Sequence, residues 1–429
     1  MESLPSAIVD FIQLLRPLFR AEVFTSFSYL MLGILIGEAK DGTARASVFA
    51  GPPYWPQRRS DLFCHHKLSH QAFMAKLAEV ALACLYPTGL PARLFWIADS
   101  TYAEKPYAKR VASVGLFHRT KRVAGHAKHL QGHCYVVAAH LYKQAMATLP
   151  RWASVLVGTV VYVKGRSIPA LVGVLAQQLR LPSTVRHVWL VDRGILSRPL
   201  LRALEGLGHR VVGRVCCNQV VYFTPTAEGG QLAPCQRRPR VYGQKCRGDQ
   251  LRSHCPERLR EQKMVLRVHG RERMVRLWDT EVLLRGVWRG RALPVRVIII
   301  VVPGLKLKPW YLLTTDRELE PQEAVRAYDG RYQIEANIEE VTEVGLAHYQ
   351  GRSAQGIRRW PLLLSLGQMI RKFIATGVLA VSLPKLHWPW DTRENTVGQV
   401  RRRLIEACHP RISYEKVDRP TRQKLAKAA

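Results

Sequence analysis

Two aspartates of this 429-residue chain occupy matching places. Asp99 follows Leu94-Phe95-Trp96-Ile97-Ala98, and Asp192 follows Val188-Trp189-Leu190-Val191, so each closes a short apolar run that reads as a buried strand. A strand end is rigid, and functional carboxylates gain precision from rigid elements. Two such strands side by side in one sheet would bring both side chains to the same end. Two or three carboxylates there can bind a pair of Mg²⁺ or Mn²⁺ ions about 3.5–4 Å apart, one activating an attacking oxygen and the other stabilising a leaving oxygen. Taken alone, an aspartate after a strand is more often a turn or helix cap. The matched pair, bounding a basic core, reverses that preference. A third carboxylate lies far downstream in Tyr328-Asp329-Gly330-Arg331-Tyr332-Gln333-Ile334-Glu335. The three-then-four spacing of Tyr328, Arg331 and Glu335 puts them on one helix face, where the arginine can hold a phosphate and the carboxylate can reach a metal. On spacing alone Glu339 competes with Glu335, and an ordinary amphipathic helix would look similar.

The two aspartates bound a segment without acids. From Lys105 to Val191 there is no aspartate or glutamate, against 13 lysines and arginines. Surfaces normally mix charge signs, so a stretch of one sign suggests a face toward phosphates; a generally arginine-rich composition is the plainer explanation. The whole chain has 65 lysines and arginines against 32 acids, a formal net charge of +33. A chain this basic is expected to hold a polyanion, with double-stranded DNA the first candidate. Nine scattered cysteines without a CxxC pair point to reduced thiols and a reducing compartment, so a cytoplasmic location is expected. The most apolar run, Val297–Val302, is far too short to span a bilayer, and the N-terminus lacks the basic start of a secretory signal. Membrane and disulfide-scaffold classes are therefore set aside.

The elements that must position these groups follow from periodicity. Residues 1–90 read as helical, a domain that either binds DNA or serves as a plain scaffold. Residues 91–215 turn to strands rich in β-branched and aromatic residues, then alternate strand and helix. The expected strands are Val111–His118, His133–Tyr142, Ser154–Val163 and His209–Val215. Helices are expected at Ser167–Leu179, capped by Ser167 with Pro169 in its first turn, and at Ser197–Leu207. That order implies an α/β fold with a mixed sheet flanked by helices. Residues 216–320 read as a β-rich insertion: a basic, cysteine-containing loop, then strands at Met264–Val268, Met274–Trp278, Val282–Trp288, Val295–Val302 and Trp310–Thr314, with Gly270 and Gly290 at tight turns. Residues 321–383 return to helix, at Pro321–Glu343 and Ile357–Thr376. Residues 384–429 form a basic tail.

At these residues the chain resembles the DDE transposases of bacterial insertion sequences, in particular the group with a β-rich insertion between its second Asp and its Glu. That group's signature is Tyr, two residues, Arg, three residues, Glu, six residues, Lys. Tyr328, Arg331 and Glu335 fit it, and Thr342 stands where the final Lys is expected, which puts one substrate contact in question. WIADST around Asp99, LVDRGILSRPLLRALEGLGHRVVGRV from Leu190 and YLLTTDRELEPQEAVRAYDGRYQIE before Glu335 are similar to the family's three motifs in order, over about residues 91–380. The resemblance implies an RNase H-like core with Asp99, Asp192 and Glu335 as catalytic ligands of two divalent metals. It implies cleavage at terminal inverted repeats by water and attack of the 3′-OH on target DNA. It also implies a homodimer on DNA in a bacterial, nucleoid-associated setting. Tyr328, Arg331, Arg193, Lys121, Arg122, Arg237, Arg238 and Arg240 are the expected DNA contacts. Two other readings stay open: a catalytically degenerate transposase-derived DNA-binding protein, and an RNase H-like nuclease.

Smaller features have plainer readings. Cys216, Cys217, Cys235, Cys246 and Cys255 with His254 match no familiar structural zinc spacing, and Cys64-His65-His66 is a weaker candidate still. Trp278 and Trp288 read as packing residues, with base stacking the lesser alternative. Arg401-Arg402-Arg403 reads as a solvated run that can add phosphate contacts.

Overall fold

The computed structural model describes residues 4–36, 62, 66–108, 111–118, 127–144, 151–225, 241–268, 271–288, 292–349, 351–384 and 396–408. The chain forms two compact units, residues 1–59 with 370–429, and residues 60–369.

In the first unit, α1 (Ser6–Gln13), α2 (Ala21–Ile36), the end of a long helix beyond Ile370 and a basic helix at Val397–Cys408 surround an aromatic core. Phe19 stacks on Phe27 with centroids 4.4 Å apart, and Phe11 meets Phe373 edge-on at 6.0 Å. The buried guanidinium of Arg371 donates to the Ile34 carbonyl of α2 at 3.1 Å.

The second unit is mixed α/β, built on one large sheet with helices packed on it. Its strands are β1 (Arg93–Glu104), β2 (Gly115–His118), β3 (His129–Lys143), β4 (Trp152–Val161), β5 (Arg186–Val191), β6 (Arg210–Arg214), β7 (Val220–Tyr222), β8 (Lys245–Arg247), β9 (Arg260–Val268), β10 (Arg271–Leu283), β11 (Pro294–Val301) and β12 (Trp310–Thr314). They run in the order β2-β3-β1-β5-β6-β12-β11-β10-β7-β8, with β4 also on β3 and β9 on β10. The β1–β3 and β3–β4 pairs are antiparallel; β1–β5 and β5–β6 are parallel. Nearly every residue of β3 and β4 is buried, which suits Val- and Ala-rich strands covered on both faces. The covering helices include α3 (His70–Leu85), α4 (Ile168–Gln178), α5 (Arg198–Gly206), α7 (Pro321–Gly330) and α8 (Gln333–Val344), while α6 is the short helix Leu251–His254. The long helix Ala354–Ala375 is α9, and Val397–Cys408 is α10. α3 packs on β4 and α4. α4 begins as the sequence implies: Ser167 Oγ accepts from the Ala170 N–H at 3.3 Å, and Pro169 occupies its first turn.

Three local expectations are revised, and the residues read as a β-rich insertion continue the same sheet, because β12 pairs antiparallel with β6 through Leu312↔Arg214. β10 takes in the expected strand Met274–Trp278 and runs on to Leu283, so of the expected strand Val282–Trp288 only the first two residues are strand and the rest is turn. Asp279-Thr280-Glu281 interrupts the apolar pattern, but Asp279 has Arg296 of β11 at 3.7 Å, and Glu281 accepts both nitrogens of the Arg317 fork at 2.9 and 3.0 Å. With those charges matched the strand runs on. The strand expected from Val111 starts only at Gly115. The helix expected from Pro321 breaks after Gly330, where a side chain would come within 2.8 Å of Trp152; glycine is needed for that approach and is a poor helix former. Gly270 and Gly290 lie outside the described residues.

A polar ladder runs through the apolar sheet. Trp96 and Trp189, register partners on β1 and β5, stack at 6.2 Å. Each indole N–H donates to a histidine: Trp96 to His187 Nδ1 at 3.0 Å and Trp189 to His209 Nδ1 at 3.1 Å. His187 Nε2 then donates to the Pro182 carbonyl at 2.7 Å. His140 bridges the Phe95 carbonyl and the Tyr86 hydroxyl. Burial holds these histidines neutral, against the pull of the carbonyls that His140 and His187 meet.

Candidate active site

Three parallel strands, β1, β5 and β6, carry charged residues at one level; β5 and β6 end there, while β1 runs on to Glu104, so Asp99 lies within its strand rather than at the strand end that the sequence implies. Ala98 of β1 pairs with Val191 of β5, and Val191 with Gly213 of β6. The next residue on each is charged: Asp99, Asp192 and Arg214. Each aspartate spends one oxygen on backbone. Asp99 Oδ1 accepts from the Ser100 N–H at 2.7 Å, and Asp192 Oδ1 from the Ile195 N–H at 2.9 Å. The other carboxylate oxygen of each points to no backbone donor among the described residues.

Arg331, in the turn between α7 and α8, reaches this edge. Its guanidinium donates to Asp99 Oδ2 at 3.5 Å and to Glu335 Oε1 at 3.1 Å, and its Cζ lies 5.9 Å from the Tyr328 ring centroid. The helix break therefore keeps the contacts that an unbroken face would have made. Asp99 is mostly buried, and burial pushes its carboxyl up to about 6, against the pull of the Ser100 amide and Arg331. The negative charges of Asp192 and Glu335 add to the rise, which marks the three carboxylates as electrostatic neighbours. Among the described residues no three His, Cys, Asp or Glu side chains close tightly around one point; here the guanidinium of Arg331 joins two of the three acids instead. As a donor set, three carboxylates offer only hard oxygens, the chemistry that divalent ions such as Mg²⁺ prefer.

α8 is anchored beside the site. Asn337, two residues past Glu335, donates to the Ser154 carbonyl at 3.1 Å and hydroxyl at 2.7 Å, and accepts from Gln368 Nε2 at 2.9 Å. Gln368 Oε1 in turn accepts from the Leu156 N–H at 3.2 Å. This buried network ties α8 and α9 to β4. Glu339 is exposed and enters no contact with the two aspartates; Glu340 accepts from Gln368 at 3.0 Å.

Of the other expected contacts, Arg193 is exposed beside Asp192, and Lys121, Arg122, Arg237, Arg238 and Arg240 lie outside the described residues. Thr342 turns its hydroxyl inward to the Ile338 carbonyl at 2.7 Å. Trp278 is buried, with the Arg252 and Arg276 guanidinium groups 4.0 and 4.8 Å from its ring centroid, and Trp288 is buried too. Cys246 and Cys255 are buried neighbours, and burial raises the Cys246 thiol to about 11; Cys235 and Cys64-His65-His66 lie outside the described residues. The sequence reading missed Arg214, which stands near enough to Tyr328 to act on its hydroxyl. Its signal was present: like the aspartates, it closes an apolar run. No protein-family model and no curated protein matches this chain. No helix among the described residues is long and apolar enough to cross a membrane.

Proposed function

We propose that the chain is a DNA transposase that cleaves the ends of an insertion sequence and joins the resulting 3′-OH ends to target DNA by two-metal phosphoryl transfer. The observation that carries this reading is that Asp99 and Asp192 follow register partners of one parallel strand pair and that Asp99 feels the charge of both Asp192 and Glu335, from positions 93 and 143 residues apart, within a chain of net charge +33. The order β4-β3-β1-β5-β6, antiparallel and then parallel, is compatible with an RNase H-like core. Asp99, Asp192 and Glu335 would hold the divalent ions, which, when bound, supply Lewis acidity to the attacking and leaving oxygens. The protein's own part is to fix those carboxylates through the β1–β5 register and the Asn337 network, and to bring phosphate to them with Arg331, Arg193 and Arg214. The arginine fork suits two phosphate oxygens at once.

The test is incubation of the protein with Mg²⁺ and duplexes carrying the DNA that borders its reading frame. Expected are nicks at the element ends that leave 3′-OH groups, followed by joined product. Binding with no cleavage in Mg²⁺ or Mn²⁺ would favour the DNA-binding reading, to which Thr342 in the expected lysine position already lends support. Cleavage of structured DNA without end specificity or joining would favour the nuclease.

A further inference from the structure

Beyond Asp192 the chain builds a second basic feature. A cavity of about 540 Å³ lies where the start of α5 and the end of β6 face the turn after β10. Arg193, Arg198, Arg214 and Arg285 line it, and no aspartate or glutamate does. None of the four forms an ion pair among the described residues. Several other arginines of this unit are matched: Arg93 and Arg186 with Asp316, Arg296 with Asp279, Arg317 with Glu281. Four unmatched guanidinium groups around one space repel each other, and that cost is relieved when an anion sits between them.

The walls are fixed in place. Arg202 of α5 donates to the carbonyls of Gly286 and Val287, tying the turn to the helix. Gly286 has φ +75°, and a side chain there would come within 3.3 Å of the Arg198 guanidinium, so a glycine both makes this turn and leaves Arg198 its room. α5 starts without a side-chain cap, since Ser197 makes no such bond, so its positive end adds to the field. Ser197, Cys216, Gln219, Tyr222 and apolar residues complete the lining. The volume exceeds what a lone phosphate needs and falls in the range of small-molecule sites.

We infer that this cavity is a binding site for a phosphate-bearing ligand of nucleotide size, either a nucleotide unit of a bound DNA strand or a free phosphorylated molecule. The inference rests on the arginines and the cavity, and it stands whether or not the chain cuts DNA.

The test uses the full chain and two probes, inorganic pyrophosphate and a labelled DNA duplex, with binding followed by calorimetry and anisotropy. The paired variant Arg198→Ala/Arg285→Ala removes two exposed side chains, and Arg271→Ala, distant on β10, controls for net charge. Pyrophosphate affinity is expected to fall at least tenfold in the paired variant, to stay near wild type in the control, and to recover in part with Arg198→Lys/Arg285→Lys. Pyrophosphate that displaces DNA in proportion to its own binding assigns the site to a strand of DNA. Pyrophosphate that binds without displacing DNA assigns it to a free ligand. If the paired variant binds both probes as the wild type does, or the control loses as much, the inference is overturned. Failure of cleavage with pyrophosphate binding intact would count against the transposase reading alone.

Discussion

Asp99 and Asp192 stand one residue beyond Ala98 and Val191, which are partners in a parallel strand pair. The register therefore brings the two residues to the same level of the sheet, Asp99 within β1 and Asp192 at the start of the connection to α5, where the Ile195 N–H holds its carboxylate. Glu335 joins them through Arg331.

Asp99→Asn, Asp192→Asn and Glu335→Gln should each lower Mg²⁺-dependent cleavage by at least about a hundredfold, since each removes charge from the transition-state site. DNA affinity measured in EDTA should hold within a few-fold, because binding draws on many separate phosphate contacts. Glu339→Gln should cleave normally. A Glu339 variant as inactive as the Glu335 variant would move the third ligand one turn along α8.

Arg331 serves as an internal cation for the acids. In Arg331→Ala the carboxylates lose that partner, and the metal-free protein should be less stable by about 2 kcal/mol, the usual scale for hydrogen bonds to charged groups. Millimolar Mg²⁺ should restore much of the loss, and Tb³⁺ luminescence titration without DNA should show tighter binding than in the wild type. Equal Tb³⁺ affinity in the two proteins would show that Arg331 and the ion do not compete for the same acids.

Asn337 is buried, and its amide serves three partners. Asn337→Ala leaves Ser154 and Gln368 short of partners inside the protein, where each unmet group costs about 1–3 kcal/mol. Chemical unfolding should show a loss of about 2–4 kcal/mol. Asn337→Asp, which keeps the size but not both donors, should not recover it. An unchanged midpoint would mean that α8 is held by apolar packing alone.

Acid should weaken the second unit through its histidines. Burial lowers His70 and His209 to about 4 and His140 to about 3, and it lowers His133 and His187 as well. Unfolded, each titrates near 6.5. Their contribution is thus complete above pH 6.5 and is lost as pH falls toward 4, where the unfolded chain takes protons that the folded one refuses. Asp99, Asp279 and Asp329, whose carboxyls burial raises, work the opposite way. The clean measurement is therefore a difference: between pH 7 and pH 5, urea stability should fall more steeply in the wild type than in His140→Gln. Parallel curves would mean that His140 is not held neutral.

The sequence made the site more legible than the sheet around it. Asp99 and Asp192 each follow an apolar run, a pattern written locally, but that pattern implies a strand end and only Asp192 stands at one, because β1 continues through Asp99 to Glu104. Glu335 needed a spacing pattern, and geometry separates it from Glu339 only through Arg331. Individual strands were legible from β-branched runs, but the joining of β12 to β6 is a pairing between distant segments that no local pattern encodes. β10 runs through Asp279 and Glu281, where the sequence leaves a gap between strands, because Arg296 and Arg317 stand beside them. The four cavity arginines come from three separate segments, so their convergence was invisible in a line of text.

Binding to DNA should be governed by salt. With 65 basic against 32 acidic residues, an acid-free stretch from Lys105 to Val191 and a cavity of unmatched arginines, the protein should neutralise several phosphates at once. Each neutralised phosphate releases bound counterions, and the logarithm of affinity falls with the logarithm of salt by about 0.9 per contact. Four or more contacts predict a loss of about a hundredfold or more between 50 and 200 mM salt. The same excess charge should keep free copies apart until phosphates neutralise it, so a second copy should join only on DNA. Mass photometry across that salt range reads both effects together: at 50 mM the dominant species should hold two protein copies with DNA, while the free protein stays single. An affinity flat across the range would remove the polyanion premise. One copy per DNA end at every concentration, with joining still efficient, would remove the paired assembly and leave the binding intact.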